Sequence, residues 1–357
     1  MKYALVGCGR VSPNHIKAAV ENGFSILAVC DIAPEHIDNM FERAVECGKE
    51  NIRRYSDFTE MYDKEKPELV SIALPSGLHA KAAVEAIKRG INVIIEKPMA
   101  MSIADADEII RLSKEMGVKV SACHQNRFNI AVQEMRAALE KGRFGKLSNG
   151  AITVRWDRGK DYYDQADWRG KFESDGGTLM NQCIHGIDLL IWMCGGELKK
   201  VYGATRRQYH PYIEAEDVGT AVFEFENGVV ATVEGTVNVP GGSLEEHLTL
   251  VGNGGVVKLG GTSANAIDIW RFLDDPEDTK DGFHEKTANV YGNGHTSLFA
   301  DVAQSIKEDR EPYVNAEAGK KALEAVLAIY KSSSLGLPVE LPLGECAGKD
   351  FEGMFDK

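Results

Sequence analysis

Through the first third of the chain, short apolar runs alternate with longer amphipathic stretches. Tyr3–Val6, Ile26–Cys30, Leu69–Leu74, Asn92–Ile95 and Val118–Ala122 have strand length and little polar alternation. Between them, His15–Asn22, Pro34–Gly48, Leu78–Arg89 and Ile103–Met116 place apolar residues at helical spacing. Strands that are apolar on both sides and separated by helices predict βαβ units around a buried parallel sheet. Ala131–Lys141 adds a helix, closed by Gly142.

After Gly150 the pattern changes to period two. Val218–Phe225 and Val229–Val237 flank Glu226-Asn227-Gly228, and Asn-Gly between alternating runs predicts a hairpin. His247–Val251 and Val256–Leu259 repeat the arrangement across a glycine-rich turn. Three helices, Leu179–Met193, Ser297–Glu308 and Ala316–Ser332, accompany this antiparallel sheet. The fold class is therefore an α/β N-terminal Rossmann domain over 1–122 and an α+β domain with a large, mostly antiparallel sheet over 123–335. Pro338 and Pro342 mark an extended tail over 336–357.

Composition narrows the function classes. Of 357 residues, 54 are acidic and 41 basic, a formal net charge of −13. Nucleic-acid affinity rests on cations displacing counterions, so that class is not expected. No apolar run reaches the ~20 residues of a membrane helix, and the N-terminal apolar stretch enters a glycine turn too soon for a secretory signal. The 7 cysteines show no Cys-x-x-Cys pair, which argues against zinc and for reduced thiols in a cytoplasmic protein. An open antiparallel sheet with one face uncovered predicts a homodimer or homotetramer.

The candidate chemistry begins at residue 7. Gly7 and Gly9 take the first two places of a dinucleotide fingerprint between a strand and a helix, with Arg10 and Val11 leading into that helix. Ser12 stands in the third place. Asp31 ends the next strand, where a carboxylate binds ribose hydroxyls and repels a 2′-phosphate, favouring NAD. Further on, Ile94-Ile95-Glu96-Lys97-Pro98 is an apolar strand that ends abruptly in charge, at the sheet edge where such folds bind ligands.

These pieces resemble the Gfo/Idh/MocA family of sugar and cyclitol dehydrogenases. The resemblance is carried by GCGRVSPNH at 7–15, ALPSGLH at 73–79, EKP at 96–98, NQCIHGIDLL at 181–190 and AEDVGTAVFEFENGVVATVEGT at 215–236. It implies that Lys97 projects toward nicotinamide and substrate, that Pro75, Ser76 and His79 line the cofactor cleft, and that Glu96 lies by the nicotinamide ribose. Histidine titrates in the range a general base needs, so His185 is the expected base. Asn181, four residues earlier on the same helical face, stands where many members carry Asp; unable to take a proton, it is expected to orient the substrate hydroxyl or Lys97. Asp188 is expected to be structural.

Arg158-Gly159-Lys160-Asp161-Tyr162-Tyr163 and Trp168-Arg169-Gly170-Lys171 mix cations with aromatics just before that helix, a combination suited to a sugar with anionic groups. With HQNRF at 124–128, the chain looks like the branch that oxidises C3 of UDP-N-acetyl-glucosaminuronic acid, some members of which recycle NADH with 2-oxoglutarate. Gln125, Arg127, Trp168 and Arg169 are then candidate cofactor contacts, and Arg158 and Tyr163 candidate substrate contacts. The alternatives are a dehydrogenase of a free sugar or inositol-type polyol, and a dinucleotide-binding sensor without turnover.

Overall fold

A computed structural model describes residues 1–287 and 292–356, which form two compact units. The first comprises Met1–His124 with His295–Lys320. Its strands are β1 (Lys2–Val6), β2 (Ser25–Cys30), β3 (Arg53–Tyr55), β4 (Leu69–Ile72), β5 (Asn92–Ile95) and β6 (Val120–Ala122). They pair in parallel in the order β3-β2-β1-β4-β5-β6, the strand order of a dinucleotide-binding sheet. Tyr3, Leu5, Val29, Val70 and Ile94 are completely buried, as expected of strands covered on both faces.

The crossovers are α1 (Ser12–Glu21), α2 (Pro34–Arg43), α3 (Phe58–Glu65), α4 (His79–Ile87) and α5 (Ile103–Met116). The bounds of α5 match expectation because both ends carry strong signals. The Ser102 hydroxyl accepts the Asp105 amide at 3.0 Å, and Gly117 ends the helix at φ 65°. Helix α2 stops at Arg43, short of the expected Gly48.

The second unit comprises Gln125–Gly294 with Lys321–Lys357. Its strands are β7 (Leu147–Arg155), β8 (Leu198–Arg206), β9 (Val218–Phe225), β10 (Val230–Thr236), β11 (Glu245–Gly252), β12 (Gly255–Gly260), β13 (Ala266–Phe272), β14 (Phe283–His284) and β15 (Val339–Glu340). They form one nine-stranded sheet in the order β14-β13-β12-β11-β7-β10-β9-β8-β15. Among the described strands only β7 and β10 run parallel. Both expected hairpins form, β9–β10 around Gly228 at φ 85° and β11–β12 across Asn253-Gly254. Helices α6 (Ile130–Glu140), α7 (Lys160–Tyr163), α8 (Thr178–Asn181) and α9 (Ile184–Cys194) belong to this unit. Leu179, Cys183, Leu190 and Cys194 approach the sheet closely at Gly150, Gly219 and Gly235, and Gly186 of α9 lies against Ile152 of β7.

Three expectations need correction. The single helix over Leu179–Met193 is two helices, because the Thr178 carbonyl accepts both the Gln182 and the Cys183 amide, one residue more than an α-turn holds. Helix α10 (His295–Glu308), expected with the second domain, packs on α1 in the first unit, with Phe299 against Tyr3 at 5.8 Å between ring centroids. Helix α11 (Ala316–Leu335) then crosses the boundary between the units. The tail is not wholly extended: it adds β15 to the β8 edge and a 3-10 turn at Gly348–Phe351. Among the described residues no helix is long and apolar enough to cross a membrane, and no disulfide forms.

Candidate active site

The turn between β1 and α1 is built for a phosphate-bearing ligand. Gly7 has φ 92°, and a Cβ there would lie 2.3 Å from the Ala73 carbonyl oxygen, so no other residue fits. A Cβ at Gly9 would meet nothing within 4 Å, which leaves its backbone facing open space beside the start of α1. Pyrophosphate needs that arrangement of close backbone approach and helix N-terminus. Ser12 is completely buried, and its hydroxyl donates to the Gly9 carbonyl at 2.6 Å, so serine in the third place closes the turn. Arg10 is exposed, its carbonyl accepting from Arg43, and Val11 caps α1.

Asp31 lies at the end of β2 as expected. One carboxylate oxygen accepts the Cys8 amide at 2.8 Å, and the other accepts from the Ala33 amide at 3.0 Å with His36 Nδ1 at the same distance. It therefore fixes the glycine turn from its far side and presents negative charge beside it. These features fit NAD.

The ends of β4 and β5 carry the next group. Pro75 and Ser76 open a 3-10 turn over Ser76–Leu78 that runs into α4. The buried His79 ring places Nδ1 2.8 Å from the Pro98 carbonyl and Nε2 2.7 Å from the Leu74 carbonyl. Burial lowers its pKa, and a neutral ring donates to only one of the two. His79 thus braces the backbone at Pro98, whose peptide bond with Lys97 is cis. Glu96 is buried, and Lys97 beside it is half-buried.

In the second unit, two adjacent acids of the 215–219 segment organise the remaining candidates. Glu216 is fully buried; its carbonyl accepts the Thr178 amide at 3.0 Å and its carboxyl accepts the Leu179 amide at 2.8 Å, fixing the start of α8. Asp217 accepts the amides of Gln208, Tyr209 and His210, and those bonds hold its pKa low despite burial. His210 Nδ1 lies 3.1 Å from Asp217, and its Nε2 donates to the Arg158 carbonyl at 2.8 Å. The segment therefore positions both Asn181, at the end of α8, and Arg158.

Asn181 donates through Nδ2 to the buried Asp175, and its Oδ1 receives the Tyr162 hydroxyl at 3.4 Å and Gln182 Nε2 at 3.2 Å. An Asp here would set two carboxylates against each other, which accounts for the amide. Tyr162, which sequence reasoning passed over in favour of Tyr163, is the hub: its hydroxyl accepts from Arg169 at 2.6 Å and from Gln182 at 3.2 Å. The Arg169 guanidinium lies 4.3 Å from the Tyr162 ring and 4.7 Å from Trp168, and Arg158 lies 5.3 Å from Tyr162. Neither arginine has a salt bridge among the described residues. Tyr163 packs with Tyr162 and Ile213 in a buried cluster.

His185 is buried on the first turn of α9. Arg127 is buried and forms a two-pronged ion pair with Asp188 at 2.7 and 2.6 Å, stacked on Trp192 at 4.8 Å; Asp188 is structural as expected. Gln125 is buried in the 3-10 turn Gln125–Phe128, with Nε2 3.4 Å from Asn126. The signal that could have singled out Tyr162 is its position seven residues before Arg169, but a four-residue helix gives no periodicity to choose between two adjacent tyrosines.

Known proteins match the chain in both of its parts. Residues 1–124 match the oxidoreductase family with an NAD-binding Rossmann fold, and residues 132–258 match the GFO/IDH/MocA C-terminal domain. The solved WlbA dehydrogenase of Bordetella pertussis, in complex with NADH and UDP-GlcNAcA, is 33% identical, covers 96% of this chain and 99% of its own, and superposes with a TM-score of 0.84. The 2,7-anhydro-N-acetylneuraminate hydratase of Mediterraneibacter gnavus is 28% identical over 72% of this chain and 66% of its own length. The myo-inositol 2-dehydrogenase of Thermotoga maritima is 22% identical over 93% and 96%.

Proposed function

The chain belongs to the GFO/IDH/MocA family of NAD-binding oxidoreductases, and on that footing we propose that it oxidises C3 of UDP-N-acetyl-glucosaminuronic acid. The observation that carries the substrate is the pair of guanidiniums flanking Tyr162 with no carboxylate partner, in a chain of net charge −13. Arg169 Nε is moreover buried without a hydrogen-bond partner. Buried or stacked cations left unpaired are ordinarily answered by an anion, and a diphosphate or uronate supplies one where a polyol does not. Likeness to the UDP-GlcNAcA complex supports the same choice.

His185 takes the hydroxyl proton as general base. Lys97 donates a charge-assisted hydrogen bond to the same oxygen as negative charge grows on it. Asn181 cannot accept that proton; locked by Asp175 and Tyr162, it orients the sugar. The turn at Gly7–Ser12 and Asp31 would hold NAD, which when bound would supply the acceptor for the hydride from C3.

The test is NADH formation from UDP-GlcNAcA, UDP-GlcNAc and myo-inositol side by side. Turnover should favour the uronate, and Arg169→Gln should lower its kcat/KM by about 10–100-fold, the worth of a hydrogen bond to a charged group. Better turnover of inositol would move the assignment to the polyol dehydrogenases. NAD binding with no reduction by any sugar would favour a sensor.

We also infer that a second copy covers the outer face of the sheet. Tyr202 of β8 and Val222 of β9 are register partners there, 52% and 40% exposed, and Val230 of β10 is 45% exposed. Light scattering on the purified protein should give a dimer or tetramer, and Tyr202→Glu should shift it toward monomer; a monomeric parent at micromolar concentration rejects the idea.

A further inference from the structure

Four buried side chains meet beyond the end of β5 in the first unit: His15 of α1, Glu96, Cys123 just past β6, and His295 at the start of α10. Their polar atoms all lie within 4.8 Å of one another. His15 and Cys123 are completely buried, and Glu96 and His295 are 6% and 5% exposed. A carboxylate so placed costs several kcal/mol unless it is paired and hydrogen-bonded.

Here every oxygen is used. Glu96 Oε1 lies 2.9 Å from His15 Nε2, and Oε2 accepts the Lys97 amide at 3.2 Å. His295 Nε2 stands 3.8 Å from Oε1, too far for a direct hydrogen bond but near enough to act electrostatically. The two imidazoles meet edge to face, 5.5 Å between centroids, and Phe299 closes the other side of His15 at the same separation. Burial favours the neutral acid, yet the two histidines more than offset it and hold Glu96 well below the usual carboxylate range. An ionised carboxylate only accepts, so His15 Nε2 is the donor.

This arrangement joins two parts of the machinery that the sequence holds far apart. His15 lies one turn into the helix that begins at the glycine turn, and the Lys97 amide is the root of the side chain assigned to the reacting oxygen. We propose that His15 and His295 are positioning residues for the reaction, acting through the Glu96 carboxylate to fix the Lys97 backbone and to set a negative charge beside its ammonium. The inference rests on the role given to Lys97 above. The titratable groups facing Glu96 are His15 from α1, His295 from α10, Cys123 from the end of β6, His79 from α4, and Lys97 itself. Lys17 acts on His295 rather than on the carboxylate. Burial lowers the His295 pKa and raises that of the Cys123 thiol, so Glu96 is the group of this cluster that carries negative charge, and its carboxylate holds the Lys97 backbone amide.

The experiment compares His15→Ala, His15→Gln, His295→Gln and Glu96→Gln in the full-length protein, each checked by thermal melting. His15→Ala should lower kcat by about 10–100-fold with the sugar KM little changed, since small displacements of a reacting group cost that much. His15→Gln keeps a donor near the Nε2 position and should restore most of the loss. Glu96→Gln keeps the shape and removes the charge; the upper limb of the kcat–pH profile should move to lower pH as the Lys97 ammonium loses its neighbour. A structural role alone leaves that profile where it was. An unchanged kcat in His15→Ala, failure of glutamine to rescue it, or an unmoved profile in Glu96→Gln overturns the proposal. So does one equivalent of zinc in the purified protein that Cys123→Ser abolishes, because the four side chains would then be metal ligands. Lys97→Met separates the two levels: if it keeps turnover, the reading of Lys97 fails, and if it loses turnover while Glu96→Gln matches the parent, only this inference fails.

Discussion

Lys97→Met should bind NAD like the parent and turn over on the order of 10³-fold more slowly. Methionine keeps the length and apolar stem of lysine, so the half-buried site stays filled and only the charge and donors are lost. The backbone does not depend on the side chain: the Lys97 amide is held by Glu96, and the Pro98 carbonyl lies 2.8 Å from His79 Nδ1. In the proposed reaction, what disappears is a charge-assisted hydrogen bond to the oxygen that carries negative charge once its proton is taken and until the hydride has left. In a water-poor site such a donor is worth about 10²–10³ in rate. Lys97→Arg should recover only part of it, since a planar guanidinium does not replace a compact ammonium. Steady-state rates with a fluorescence titration of NAD decide the matter. Turnover within tenfold of the parent assigns the chemistry elsewhere; parallel loss of NAD affinity makes Lys97 a cofactor-binding residue instead.

The chemistry of the first unit was legible because buried parallel strands announce themselves. β1, β2, β4, β5 and β6 are mostly apolar, broken within only by Ser71 and Ser121, and the residues that follow them are where folds of this kind bind ligands. The edge strand β3 escaped because Arg53-Arg54-Tyr55 has no apolar run to read, and α3 went with it. In the second unit β7, β8 and β13 went unread for a different reason. β7 carries Ser148-Asn149-Gly150 and β8 carries Gly203, residues that normally argue against a strand. A Cβ at Gly150 would lie 2.9 Å from Leu190, and one at Gly203 2.7 Å from Ile329, so these glycines mark where helices press on the sheet. That constraint is tertiary and leaves no local signature.

The site divides along the same line. Gly7, Asp31 and Lys97 sit at strand ends that sequence order alone places. Arg127 is a candidate cofactor contact from its sequence segment, but only the fold shows that Asp188, 61 residues away, holds its guanidinium through Nε and Nη2. Glu216 and Asp217 belonged to a recognisable segment, but only the fold shows that one anchors the helix of Asn181 and the other the loop of Arg158.

Glu246→Gln should make the protein markedly more stable at pH 9 and leave it nearly unchanged at pH 5. Glu246 is fully buried under α9; a Cβ on Gly186, next to His185, would come 3.4 Å from its Oε1, and neither oxygen has a hydrogen-bond partner among the described residues. Burial pushes its carboxyl up from 4.5 to about 8, and burial does the same to Glu216. Between those values the folded chain keeps a proton that the unfolded chain sheds. Stability from each group is therefore complete below its unfolded pKa and is lost as pH rises through about 8, at up to about 1.4 kcal/mol per pH unit. Over the whole window one group costs on the order of 4 kcal/mol, enough to move a melting temperature by several degrees. Glutamine is neutral at every pH and nearly the same shape, so it removes the titration and leaves the packing. Glu216 is the poorer choice for the test, because its carboxyl also accepts the Leu179 amide and the Tyr330 hydroxyl at 3.0 Å. Thermal melts from pH 5 to 9 should show the two curves separating from about pH 5 and running parallel again above about pH 8. Curves parallel throughout mean that Glu246 is ionised in the fold despite its burial, and that the support beneath the His185 helix carries a charge.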